Sequence, residues 1–189
     1  MPSGQVHNAV TFTLAGLTLA GGILLQNADV LTVSAGMAAG LFLSPDLDLA
    51  AGSIALSNVR KAPQMAARIL LLDGAPTVRK ISVAVGWLAS TAWRVIWWPY
   101  GVAIKHRSWI SHAPVISTAL RVLYLILLTV PFWGCSLSYQ LTAQGWRYAA
   151  LAFGGLCIAD GAHIAMDAAE TRAKRLQRKY NKFTEVRYE

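Results

Sequence analysis

The charged positions of this chain are few and grouped. No charged residue occurs from Pro2 to Ala28, and none from Val30 to Pro45. Only Gln26-Asn27-Ala28-Asp29 interrupts the two apolar stretches, which therefore read as a helical hairpin with a short polar turn. Crossing the hydrocarbon core takes about 20 residues of helix, a length that Asn8 to Leu25 and Val30 to Leu47 each reach with their ends counted. A third span is predicted from about Pro114 to Pro131 and a fourth from about Trp146 to Ala165, joined by the nearly uncharged segment Gly134 to Gly145. The Gly and Ala content of these stretches suits close helix contact.

Two features complicate that pattern. Arg121 interrupts the third span, and a charge there either faces the bundle interior or snorkels to the interface. It is a partner for buried carboxylates or lies near the membrane surface; its place one to two turns after the helix start favours the surface. The second feature is Ile81 to Tyr100, which holds Trp87, Trp93, Trp97, Trp98 and Tyr100 together with Arg94. A fifth span there would put the carboxylates of Asp46 and Asp48 on the opposite face from His106 and His112. Its aromatics resemble an interfacial belt, so an interfacial or partly inserted helix is preferred. The expected fold is all-α, an integral membrane bundle of about four transmembrane helices with an interfacial aromatic-rich helix and a basic C-terminal helix.

Composition sharpens the class. The 189 residues are 55% hydrophobic and 14% charged, with a mean hydropathy of +0.44, too apolar and charge-poor for an ordinary soluble domain. The excess of 17 Lys+Arg over 9 Asp+Glu fits cytoplasmic loops and anionic headgroups better than nucleic acid, which is not an expected partner. Cys135 and Cys157 lie in separate apolar segments and form no metal-binding or disulfide pattern. The N-terminal apolar stretch has neither a basic start nor a cleavage-type ending, so it is expected to be retained.

Charge also orients the spans. Residues 50 to 112 hold eight Lys+Arg against one acid, Asp73, and residues 170 to 189 hold seven against three. The two opposite turns contain only Asp29 and the borderline Arg147. With four spans, both termini and all the candidate site residues fall at one face, the cytoplasmic face of a bacterial inner membrane of plasma or thylakoid type. In the tail, Leu176, Tyr180 and Phe183 recur at helical spacing among the basic residues. That tail is a solvated charged helix or a basic amphipathic helix on anionic lipid.

The candidate chemistry is a metal site. Imidazole nitrogens together with carboxylate oxygens suit zinc, manganese or iron, whereas magnesium and calcium prefer oxygen alone. Asp160, His163 and Asp167 are spaced i, i+3, i+7 and share one helical face. They could merely hydrogen-bond between helices, but three other polar clusters at the same depth favour a site. Asp46 and Asp48 follow Pro45, where the chain leaves the helix and can turn both carboxylates to one centre, helix capping being the plainer role. His106 and His112 are too far apart along a helix to act together closely. His112, just before Ala113-Pro114, suits a ligand; His106 and Arg107 suit catalysis, through proton transfer or contact with a substrate phosphate, or merely contact lipid headgroups. His7 stands alone before the first helix.

Pro2-Ser3-Gly4-x-x-His7, Ser44-Pro45-Asp46-Leu47-Asp48, Trp97-x-Pro99-Tyr100, His106-Arg107-Ser108-x-x-Ser111-His112 and Arg121-x-x-Tyr124 together resemble a bacterial, largely cyanobacterial family of uncharacterised metal-binding membrane proteins. More distantly, the order of motifs is similar to that of YdjM-type membrane-bound metal-dependent hydrolases and of the helical zinc-dependent phospholipase C and P1 nuclease superfamily, with its H-x-x-x-D pair. The resemblance implies His7, Asp46, His112, His163 and Asp167 as ligands of one or two metal ions, zinc first. It also implies that about 53–85 is an insertion in a membrane-embedded metal-binding domain of residues 1–169, followed by a tail of 170–189. The function expected is metal-dependent hydrolysis of a phosphoester in a lipid or membrane-proximal substrate. The alternative is a non-enzymatic metal-binding membrane protein that recruits a protein partner through the basic insertion or tail. A metal transporter would place ligands at mid-membrane, and these cluster at one end. The four-span topology predicts that reporter fusions at Gln26 and at Ser138 score as exported; a cytoplasmic score at either position overturns it.

Overall fold

The computed structural model describes residues 4–44, 53–72, 74–104, 113–133 and 142–185. All of the described secondary structure is helical: α1 (Gly4–Leu24), α2 (Ala28–Ala39), α3 (Ile54–Ile69), α4 (Pro76–Ala103), α5 (Pro114–Trp133) and α6 (Ala143–Glu185). By length and composition, two stretches could cross a membrane, Val6–Leu24 and Ala143–Arg178, while Ala28–Ala39 and Pro114–Thr129 are shorter apolar helices.

The first hairpin forms where the sequence pattern places it. Gln26 takes a left-handed conformation, φ 49°, and the Asn27 amide reaches back to the Gly22 carbonyl at 2.9 Å, a Schellman end. Asn27 then turns from terminator to initiator: its side-chain oxygen accepts from the Asp29 and Val30 amides at 2.9 and 3.2 Å, capping α2. Asp29, in the first turn of α2, complements the positive end of the helix dipole. The regular part of α2 stops at Ala39, earlier than the apolar run suggested. Tightened turns carry the chain on, with the Leu41 and Phe42 amides bonded to the Ala38 and Ala39 carbonyls.

Pairs of contacting residues give the helix directions. On α2 and α6, Asp29 pairs with Arg147, Gly36 abuts Ala152, and Gly40 abuts Ala159, so these two helices run parallel. His7 at the start of α1 meets His163 and Asp167 late in α6, so α1 runs antiparallel to both. Thr118, early in α5, bonds Asp160 of α6. Helices α1 and α5 therefore leave one end of the bundle, and α2 and α6 return to it.

The contact between α2 and α6 is backbone against backbone. A Cβ at Gly36 would stand 2.0 Å from the Ala152 carbonyl oxygen, and one at Gly155 would stand 2.1 Å from the Val33 carbonyl oxygen. Such reciprocal small-residue contacts let helices approach when side chains supply little drive between them. Across the other interface of α2, Ser34 donates to the Ala15 carbonyl of α1 at 2.8 Å.

Helices α3 and α4 form a second hairpin; α3 and the first part of α4 fall in the stretch of about 53–85 expected to be an insertion. Gly86 of α4 lies against the Arg60 carbonyl of α3. Ala55, Trp97 and Tyr100 form its buried core, with Leu43, Leu120 and Tyr124 packed against it. The Tyr124 hydroxyl donates to the Ile96 carbonyl, fastening α4 to α5. The basic tail is the direct continuation of α6, which runs unbroken to Glu185.

Gly36→Val is expected to destabilise the fold by roughly 3 kcal/mol, because neither backbone at that contact can yield cheaply. Gly16→Val, where nothing lies within 4 Å of the added carbon, is the control. Thermal unfolding in detergent reads both, and equal melting temperatures for the two variants would contradict the close contact.

Candidate metal centre

His7 comes to its position through α1, whose first turns lie against the late part of α6. Beside it, Asn8 and Asn58 of α3 form a reciprocal amide pair at 2.8 and 3.0 Å, and Asn58 also donates to the Leu41 carbonyl at 2.6 Å. These bonds hold the start of α1, the end of α2 and the start of α3 together. His163 and Asp167 are one turn apart on α6, so their side chains rise from one face.

The three side chains converge. His7 Nε2 is 3.3 Å from Asp167 Oδ1, and His163 Nε2 is 3.6 Å from Asp167 Oδ2. The two imidazoles lie with centroids 4.0 Å apart at 32°. Both histidines are buried, whereas the Asp167 side chain is 28% exposed. One ligand atom from each residue lies within 4.8 Å of the others.

The donor set fits a transition metal. Zinc bonds imidazole nitrogen and carboxylate oxygen at about 2.0–2.2 Å in tetrahedral geometry, which separates neighbouring ligand atoms by roughly 3.4 Å. The two nitrogen–oxygen separations bracket that value. Three protein ligands leave a further coordination position, and Asp167 marks the side on which solvent reaches the cluster.

Asp160, one turn earlier on α6, faces a different set of partners. It is 1% exposed and pairs with Arg121, itself completely buried. Thr118 donates to the same carboxylate oxygen. The remaining Arg121 donors go to the Leu43 carbonyl through Nη1 and to the Ser117 carbonyl through Nε at 3.2 Å. Of the two roles open to Arg121 from the sequence, the structure thus shows the buried carboxylate partner and not the snorkelling cation. Its head is held by α5, α6 and the end of the α2 segment at once.

Asp46, Asp48, His106, Arg107 and His112 lie outside the described residues. Their described flanks are informative. Leu43 is bonded to Arg121, and the Pro114 carbonyl lies against the Thr118 hydroxyl that donates to Asp160, so both flanks sit beside Asp160, one turn from His163. The connections that sequence reasoning did not reach are the Asn8–Asn58 pair and Thr118. An Asn in an apolar helix is a signal that could have drawn attention to the first; a single Thr in α5 offers none.

Residues 86–177 match the family described as "Uncharacterized metal-binding protein (DUF2227)". The matched stretch contains Arg121, Asp160, His163 and Asp167, whereas His7 lies before it. No curated protein and no solved structure matches the chain. A family described as metal-binding and a convergent His/Asp cluster thus meet on α6.

Because Arg121 and Asp160 are both desolvated, removing either leaves an uncompensated buried charge, at a cost of about 3–5 kcal/mol. Arg121→Met and Asp160→Leu are each expected to lower stability by that amount. The double variant is expected to be less destabilised than the sum of the two. Thermal unfolding of the three variants forms a double-mutant cycle, and strict additivity would show that the pair is not coupled.

Proposed function

We propose that this chain is a membrane-embedded metalloprotein that holds a divalent transition metal, zinc first, at one end of its bundle and uses it to hydrolyse a phosphoester presented at the membrane surface. The observation that carries this reading is the convergence of His7 with His163 and Asp167. Residues from opposite ends of the chain are brought within ligand distance where one helix pair would have sufficed for packing. The likeness of the motif order to membrane-bound metal-dependent hydrolases supports the hydrolytic part.

The membrane part draws on the surface of α1 and α5. Phe12, Leu17, Leu24, Ile126 and Leu127 are all exposed, an apolar area that a soluble monomer rarely presents and that lipid would cover. Four apolar helices in alternating directions, two of them short, would place the His7 end at one face. On the charge distribution that face is cytoplasmic.

His7, His163 and Asp167 would hold the metal, with Asp46 and His112 as the further ligands expected from the sequence. A divalent metal held there would supply Lewis-acid chemistry and an activated water. His106 and Arg107 would steady substrate charge. Asp160 acts through position: bonded to Arg121, it fixes the turn of α6 that carries His163.

Detergent-purified protein is expected to contain a stoichiometric transition metal by elemental analysis, lost in His163→Ala and in His7→Ala. Histidine ligates only when neutral, so occupancy is expected to fall as the pH is lowered. The metal-loaded protein should hydrolyse generic phosphodiester or phospholipid substrates, and His106→Ala should slow turnover while keeping the metal. Wild type without metal overturns the site; metal with no turnover leaves a metal-binding scaffold that recruits a partner through its basic segments.

A further inference from the structure

Helix α4 has three differently composed sides. Ser82, Gly86, Ser90, Trp97 and Tyr100 are buried, turned towards α3 and the aromatic core. On another side, Ile81, Val85, Leu88, Val95 and Val102 follow i, i+4, i+7, i+14, i+21, a continuous helical stripe. These five are between 46% and 69% exposed. Between the two runs a third line in which cations and tryptophans alternate: Lys80, Trp87, Arg94 and Trp98, the first three spaced by seven. All four are exposed. Arg79, Lys80 and Trp87 also line one open groove at the start of the helix.

The tip of the hairpin carries the apolar surface onward. Helix α3 closes in a Schellman end, the Leu72 amide bonding the Ala67 carbonyl at 2.8 Å and the Leu71 amide the Arg68 carbonyl at 3.0 Å. The left-handed position of that motif usually holds Gly; here it holds Leu71, φ 54°. Ile69, Leu70, Leu71 and Leu72 are all more than half exposed. A strained backbone that displays four aliphatic side chains is poorly suited to contact with water.

We infer that the α3–α4 hairpin is a paddle lying in the headgroup region of an anionic bilayer leaflet, with the Ile81–Val102 stripe and the Ile69–Leu72 tip in the acyl boundary and Lys80 and Arg94 on lipid phosphates. This rests on the membrane reading of the bundle. Neither α3 nor α4 is among the described stretches apolar enough to cross, so their exposed apolar surface belongs at the interface. Tryptophans beside a cation row occupy that depth, and basic side chains near the surface respond to anionic lipid. Residues 50 to 112 hold eight Lys+Arg against Asp73 alone, which selects anionic over neutral headgroups. The base of the paddle reaches α1 through Asn58 and Asn8, next to His7, so the lipid contact would set the depth of the candidate site.

The test uses the full chain with Cys135→Ser and Cys157→Ala, carrying an environment-sensitive fluorophore at Leu88→Cys or at Leu17→Cys of α1, in nanodiscs with or without phosphatidylglycerol and with shallow or deep doxyl quenchers. The expected result is that the label at 88 is quenched most by the shallow doxyl, that this requires phosphatidylglycerol, and that Lys80→Glu/Arg94→Glu abolishes it while Lys80→Arg/Arg94→Lys retains it. Deep quenching at 88 overturns the paddle in favour of a span. Quenching independent of phosphatidylglycerol overturns the choice of lipid. A label at 88 in water while that at 17 is quenched overturns the paddle and leaves the membrane bundle standing; both labels in water overturn both. Metal content has no part in these measurements, so a failure of the metal assignment would not be mistaken for a failure of the paddle.

Discussion

The end of the bundle that carries the candidate site depends on one buried ion pair. Arg121 and Asp160 lie in nearly complete isolation from solvent, where an unpaired charge would cost several kcal/mol. Neither can leave without stranding the other, and Arg121 also binds the Leu43 carbonyl. Three segments distant in sequence therefore have to meet at one level. The pair need not add net stability over a well-packed apolar substitute to perform this task. What it contributes is register: a sliding of α5 along α6 by one turn would separate the charges, a penalty no apolar contact imposes.

That register propagates in both directions along α6. Towards its start, α2 comes so close at Gly36 and Gly155 that a Cβ at either would meet the facing backbone, and Arg147 meets Asp29 at the far turn. The latter pair is largely exposed and contributes little by itself. Towards the end of α6, one turn beyond Asp160, His163 is presented to α1. The position of His7 is then decided on two sides, by the α6 face and by the Asn8–Asn58 amide pair. A site assembled from both ends of a chain needs such redundancy, since a shift of about one ångström can spoil a ligand set.

Much of this was legible in the sequence, for identifiable reasons. The hairpin at Gln26-Asn27 was readable because one short polar turn separates two uncharged apolar runs. The face shared by Asp160, His163 and Asp167 follows from helical spacing alone. What spacing could not decide was which of the three point at the same object. Asp160 is set apart by Arg121, and the place of that arginine one to two turns into its helix made surface snorkelling the readier reading. The helix start is itself buried against α6 by Thr118, so the distance from the helix end was a poor guide to the distance from water. The α3–α4 hairpin was hidden for another reason: α3 is short and carries Arg60, Lys61 and Arg68, so it presents no uncharged apolar run of the kind that marks the first hairpin. The tail read as a separate segment because its composition changes sharply after Asp167, although its backbone does not.

That uninterrupted backbone bears on how the site and the charged surface relate. A helix of 43 residues extends roughly 65 Å at about 1.5 Å per residue, about twice the hydrocarbon thickness of a bilayer. If the apolar half of α6 occupies the membrane, its basic half stands beyond the His163–Asp167 turn rather than folding back on the lipid. The cations of α4 and those of α6 then differ in role despite their similar composition. Lys80 and Arg94 flank an exposed apolar stripe, whereas Arg172, Lys174, Arg175 and Arg178 continue a rod whose first half is apolar. Asp167 is on the side of the cluster that solvent reaches, and the cations of α6 begin at Arg172, little more than one turn beyond it. The His163–Asp167 pair and the basic run are carried by one unbroken helix, so whatever fixes the register of α6 also fixes the distance from the cluster to the charge beyond it.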